Sequence, residues 1–412
     1  MAFSYSVPTN WEPDLVPALQ GLPVAELYGQ LPRDFVGGGR APSLLGHVSR
    51  RQVRAQIAQA KAAGIRFNYT LNATTMANRE WTLWGQHRLA ALVDFLEECG
   101  VHTVTVAIPY LLEYLKRRAP GLEVTVSTQA MVATPDRARR WQDLGADGIT
   151  LSVLDVQRDF RALKAIRAAV KIRLQLIGNL LCLQGCPAGL HHAAINAHAS
   201  QTGMSRFAID YCTVDCNRRR LANPEEFIRS GWIRPEDQHF YEDLGIDRIK
   251  LVTRGMRTDA LVPIVRAYAE GRSPANLMDL FPSPDKSLVY HRFRLWHLFR
   301  NFAFPGRVNV FRLRKFKALA DSRRIVIDSA ALDGFLDRFL DGRCANVNCE
   351  TCGHCAEIAA RAIRFEDGYA ADAVAAHDDV LDEIVSGRLF SYLPARDGKG
   401  DPAEGPGEGH DR

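Results

Sequence analysis

HTVTVAIPYLLEYLKRRAPGLEVTVSTQAMVATPDRARRWQDLGADGITLSV (102–153) sets out three β-like runs, HTVTVAI, LEVTVST and DGITLSV, with helical sequence between them. The segment between the last two runs is punctuated as a helix. Thr134 stands at the N-cap, Pro135 at the first helical position and Gly145 at the stop. The same rhythm extends both ways. VAELY (24–28) and RFNYTL (66–71) come before it, and VKIRLQLI (170–177), RFAIDY (206–211) and DRIKLVT (247–253) come after it. RRQVRAQIAQAKAAG (50–64) ends on Gly64, and RPEDQHFYEDLGIDR (234–248) is bounded by Pro235 and Gly245. Eight runs rich in β-branched residues and lacking clean alternation are expected to be parallel strands buried on both faces. Their alternation with helices predicts an α/β fold, a TIM-type (β/α)8 barrel. A doubly wound open sheet is the structural alternative, and the lack of G-x-G-x-x-G after the first run weakens a dinucleotide-binding reading.

The pattern divides the 412 residues into an N-terminal segment (1–20), the barrel (21–280), a C-terminal cysteine-rich α/β extension (281–395) and a polar tail expected to be disordered (396–412). Hydrophobic content of 47% with 24% charged residues is that of a globular chain. No apolar run reaches the roughly 20 residues of a membrane span, and the first residues do not read as a secretory signal. A cytoplasmic protein without membrane insertion is expected. A net charge of +5 does not by itself indicate nucleic acid. The arginines and aromatics between Lys286 and Arg324 read first as an amphipathic region, and otherwise as a surface for RNA or another anionic partner.

Eight of the nine cysteines fall into close groups, which in a reducing compartment points to metal rather than disulfides. Cys99 stands apart, at the end of an apolar helix, and reads as an inert thiol. Cys182 and Cys186 follow the run 170–177, and Cys212 and Cys216 follow the run 206–211. Both pairs are therefore expected at the C-terminal strand ends, where barrels carry their active sites. Four thiolates suit either a 4Fe-4S cluster or tetrahedral zinc. Asn72, Tyr110, Gln129, Asp155, Asn179 and Arg254 are expected around the same mouth, with His191, His192 and His198 between the cysteine pairs. Cys344, Cys349, Cys352 and Cys355, in CANVNCETCGHC, form a second set. Its compact C-x4-C-x2-C-x2-C spacing favours a second 4Fe-4S cluster over zinc, with His354 as a neighbour.

FNYTLNA (67–73), the block 105–152 with its STQA step (127–130), the ordered cysteine pairs and IKLVTRGM (249–256) together resemble the peptidase U32 family over more than half the chain. The resemblance implies an iron–sulfur protein, because members include oxygen-independent hydroxylases of quinone precursors or RNA bases. It implies Cys182, Cys186, Cys212 and Cys216 as ligands of a 4Fe-4S cluster, and prephenate as an oxygen donor. Gly178-Asn179 replaces that family's His-Gly, and Val252-Thr253-Arg254 its Glu-Gly-Arg. The expected partners are a small-molecule substrate, an electron donor or a paired U32-family subunit. A U32-type peptidase and a non-catalytic iron–sulfur scaffold are the alternatives. H-E-x-x-H and G-x-S-x-G are absent, and the spacing of a radical S-adenosylmethionine cluster is not met.

Overall fold

The computed structural model describes residues 3–42, 45, 48–204, 208–252, 254–283, 286–287, 308–309, 311–319, 321–344 and 347–390. Eight parallel strands close into a barrel in chain order: β1 (Ser4–Pro8), β2 (Val24–Gly29), β3 (Arg66–Leu71), β4 (Thr103–Val106), β5 (Glu123–Val126), β6 (Gly148–Thr150), β7 (Arg173–Ile177) and β8 (Arg248–Lys250). Closure comes from β1 pairing with β8, with Ser6 opposite Lys250.

Two strand assignments change. SYSVP, inside the stretch read as an N-terminal segment, is the first barrel strand. RFAIDY is not the seventh strand: residues 205–207 lie outside the described residues, and Ala208 to Asp210 carry no strand. The reason is a helix cap. The Asp210 carboxylate accepts from the Thr213 backbone N–H at 3.0 Å and Thr213 Oγ1 at 2.7 Å, so the chain enters helix Tyr211–Ala222. Other caps are as expected. Ser49 and Gln52 form a capping box on helix Arg50–Ala62, and the Thr134 side chain accepts from Arg137 N on helix Pro135–Asp143. The segment after Pro235 starts instead as a 3-10 turn, Pro235–Asp237, before a short helix, His239–Asp243.

The strands do alternate. In TVTV and EVTV the valines are fully buried against the helical layer. The polar partners face the axis and bond to one another. Glu26 accepts from Ser6 Oγ (2.7 Å) and Asn68 Nδ2 (3.2 Å), and Asn68 Oδ1 accepts from Thr105 Oγ1 (2.8 Å). Arg248 pairs with Glu26 at 3.0 Å. A polar axis takes the place of the branched apolar layers common in such barrels.

The extension packs on the β6–β8 side. It holds a two-stranded antiparallel sheet, β9 (Ile325–Ile327) with β10 (Ile363–Phe365), and helices Asp337–Leu340, Cys349–Cys352, His354–Ala362 and Tyr369–Val385. Buried Arg234 joins the two parts. It chelates Asp237 at 3.0 Å through both oxygens and reaches Asp333 at 2.6 Å. Arg218 bonds Asp378 at 2.8 Å, fixing the Tyr369–Val385 helix to the cysteine-bearing helix. The residues expected as a tail, and most of the basic aromatic region, lie outside the described residues. No helix among the described residues is long and apolar enough to cross a membrane.

Candidate functional site

The strand ends converge on a polar mouth. The loop after β2, VGGGR (36–40), lies across it. Asp34 accepts from Gly37 N at 2.6 Å and Tyr69 OH at 3.0 Å. Gly38 N donates to Ser200 Oγ (2.8 Å), and Gly39 N to Asn72 Oδ1 (3.0 Å). A Cβ on Gly38 would stand 1.9 Å from Gln30 Oε1, which Thr70 already holds at 2.8 Å, so only glycine fits. Burial pushes Asp34 up to about 6 against these hydrogen bonds.

Three cations look into this space. The Lys250 ammonium sits 3.8 Å from the centre of the Tyr28 ring. Arg254 donates to Thr70 Oγ1 at 2.9 Å, and half-buried Arg40 closes the glycine loop. Burial pulls all three down, Lys250 to about 8 and Arg254 to about 10. Among the described residues none of them has a carboxylate ion-pair partner, since nearby Glu26 is taken by Arg248. Unfolded lysine keeps its proton to about 10.5. The unfolded chain therefore binds more protons between pH 8 and 10.5, and stability rises with pH across that window. Below pH 8 the full penalty applies, about 3 kcal/mol. Lys250→Met is expected to stabilise the protein by about 1–3 kcal/mol at pH 7 and to flatten this rise. Urea unfolding at pH 7 and pH 9.5 checks it, and destabilisation at pH 7 would refute it.

Cys182 and Cys186 leave β7 as expected. Cys212 and Cys216 do not end a strand. They lie on helix Tyr211–Ala222, inside the long β7–β8 connection. Arg220 brings the pairs together: it donates to the Leu181 carbonyl and, at 3.5 Å, to Cys216 Sγ. Burial pushes Cys182 up to about 12, aided by Cys216 and Cys186 and opposed by Arg220. Burial pushes Cys212 up to about 11, with Asp210, Cys186 and Cys216 adding to it. Cys182, Cys212 and Cys216 are thus each influenced by other thiols of the set. Even so, no group of three or more His, Cys, Asp or Glu among the described residues is drawn together tightly enough to hold a metal as it stands.

The remaining candidates divide. Arg254, Asn72 and Gln129 are at the mouth. Asn72 donates to Ser127 Oγ at 3.1 Å, while buried Gln129 Oε1 has no partner among the described residues. Asn179 is a latch: its amide bonds Val252 N and O, both at 2.7 Å, and Leu280 O at 2.8 Å. Asp155 is exposed and accepts from Ser152 Oγ. Tyr110 is engaged by Trp81, with ring centroids 4.6 Å apart, and by Gln86 Nε2 at 2.8 Å. His191 and His198 are exposed, whereas His192 Nε2 lies 3.3 Å from Asp210 Oδ1. Cys99 is half-buried at the end of helix Leu83–Glu98. The second cysteine set lies in the extension, around its own small cavity. Sequence reasoning missed Asp34, Arg40, Asp210 and Arg220; the run of three glycines before Arg40 was the available signal for the loop.

Comparison with known proteins gives related results. An uncharacterized protease of Methanocaldococcus jannaschii is 28% identical over 341 residues, covering 83% of this chain and 89% of that protein. Among solved structures, the U32 peptidase Mk0906 is 22% identical with a TM-score of 0.47, covering 62% of this chain and 94% of that one. A FabK mutant from Thermotoga maritima is 14% identical with a TM-score of 0.31, covering 65% and 68%. The model of peptidase family U32 matches residues 40–184, so the chain is similar to that family from Arg40 of the glycine loop to just past Cys182.

Proposed function

We propose that the chain is an iron–sulfur oxidoreductase of the U32 type, an oxygen-independent hydroxylase of a small substrate, with Cys182, Cys186, Cys212 and Cys216 as ligands of a 4Fe-4S cluster. The observation that carries this reading is Arg220, which ties the Cys182–Cys186 loop after β7 to the Cys212–Cys216 helix by bonding the Leu181 carbonyl and Cys216 Sγ at once. Burial and neighbouring thiols push Cys182, Cys212 and Cys216 toward the protonated form unless a bound metal supplies positive charge. An activated cysteine nucleophile needs the opposite shift. The Arg220 N–H on Cys216 Sγ is the kind of outer contact that a metal-bound sulfur accepts.

When bound, the cluster supplies single-electron chemistry, which calls for a redox partner. The chain's own residues do the rest. Arg40, Lys250 and Arg254 bind and orient carboxylates of an anionic substrate or oxygen donor, a chemistry that prephenate satisfies. The glycine loop, held by Asn72 and Ser200, excludes water from the mouth.

One observation favours a peptidase. The His192–Asp210 pair stands two residues before Cys212, and the archaeal relative is named a protease. Metal analysis separates the two readings. Protein with Cys349→Ser and Cys352→Ser, purified without oxygen, is expected to hold roughly four irons and four sulfides per chain in the barrel and to leave peptides intact. Metal-free protein that cleaves peptides, and stops on Cys212→Ala, would establish the peptidase instead.

A further inference from the structure

Cys344, Cys349, Cys352 and Cys355 line one small cavity with His354, Arg229 and Arg338. The local chain is shaped for this. The Asn348 side chain caps the turn Cys349–Cys352, and Gly353, at φ 68°, reverses the backbone so that Cys355 enters helix His354–Ala362 on the same side. His354 Nε2 lies 3.2 Å from the Phe335 carbonyl oxygen.

The arginines are less easily explained by packing. Arg158, only 6% exposed, lies over the rings of Trp232, Phe335 and Phe339 at 4.3, 4.9 and 5.5 Å and donates to the Ile228 and Trp232 carbonyls. Arg229 Nη1 pairs with Glu226 at 2.7 Å. In Arg158, Arg229 and Arg338 alike, the buried Nε has no hydrogen-bond partner among the described residues. An unmet buried donor is destabilising; two of these three arginines, Arg229 and Arg338, line the cavity of the four thiols, and Arg158 lies close enough to interact electrostatically with Cys344 and Cys355. The natural acceptors are sulfurs carrying negative charge.

We propose that Cys344, Cys349, Cys352 and Cys355 bind a second metal centre as four thiolates, and that Arg158, Arg229 and Arg338 are its counter-charge. A zinc ion and a 4Fe-4S cluster both leave a net negative charge on four thiolates, so the arginines suit either. The sulfurs do not yet converge on one point, but each cysteine turns about a single side-chain torsion, and the four already face one cavity. The site is separate from the barrel set, and the inference stands whether or not the barrel holds a cluster.

The test uses the full chain with Cys186→Ser and Cys212→Ser, purified and reconstituted without oxygen. It is expected to retain either about one zinc or about four irons with four sulfides, and to lose them when Cys349→Ser and Cys352→Ser are added. Zinc would make the centre structural; iron with sulfide would make it redox-active. Arg338→Met leaves every thiol in place and is expected to speed metal loss to a chelator about 10–100-fold. Four freely reacting thiols in folded protein that stays metal-free after reconstitution would overturn the site. Unchanged metal retention in Arg338→Met would overturn the counter-charge.

Discussion

Cys182→Ala is expected to strip the barrel site of iron and reduce turnover below detection while the barrel stays folded. Cys182 leaves β7 after a short loop, and the carbonyl of the preceding Leu181 is held by Arg220. The backbone there is pinned to the helix bearing Cys212 and Cys216, so no other group can slide into its place. Alanine removes one sulfur from a half-buried position, which costs stability only about 1 kcal/mol. Iron, sulfide and visible absorbance measured beside circular dichroism and a thermal midpoint separate ligand loss from unfolding. Wild-type iron content in the alanine variant would remove Cys182 from the ligand set.

Glu26→Ala is expected to cost about 3–5 kcal/mol, the largest stability loss among the changes considered. Glu26 is 3% exposed, and its carboxylate serves Ser6, Asn68 and Arg248 at once. Removing it leaves the Arg248 cation in the barrel without its counter-charge, deprives nearby Lys250 of a favourable interaction and frees Asn68, which orients Thr105. Glu26→Gln keeps hydrogen-bonding capacity while losing the charge, so its cost is expected to fall between those of the wild type and alanine. Urea unfolding at pH 7 measures both. A cost below about 1 kcal/mol for alanine would mean that the axial network adds little beyond what it loses in desolvation.

These two residues also show how the sequence could be read. The strands around Cys182 were legible because Val, Ile and Leu cluster where the helical layer covers them, and RFNYTL matches β3 residue for residue. The polar partners hid the alternation. A strand whose second face meets a hydrogen-bonded axis looks neither solvent-facing nor wholly apolar, so Glu26 and Asn68 drew no attention. SYSVP was passed over because it is short, half polar and ends in proline, and only its pairing with β2 and β8 makes it a strand. RFAIDY misled because β-branched and aromatic residues outweighed the cap at Asp210. The cysteines stood out because spacing is written in the chain. Arg40 and Arg220 did not, because what singles them out is whom they meet across the fold: Arg220 reaches back to Leu181, and Arg40 sits in a loop held by Ser200 and Asn196.

Closure through β1 and β8 has a consequence for how the protein is made. The first strand cannot complete its pairing until residues 248–250 have left the ribosome. At about 5–20 residues per second, roughly 4–14 s pass between the emergence of Ile177 and that of Arg248. Throughout that interval β1 and β7 are open edges, able to pair with any passing strand. The connection that carries the barrel cysteines is the segment being synthesised meanwhile. Slow translation there, or a chain cut before Lys250, exposes both edges for longer and favours aggregation over closure.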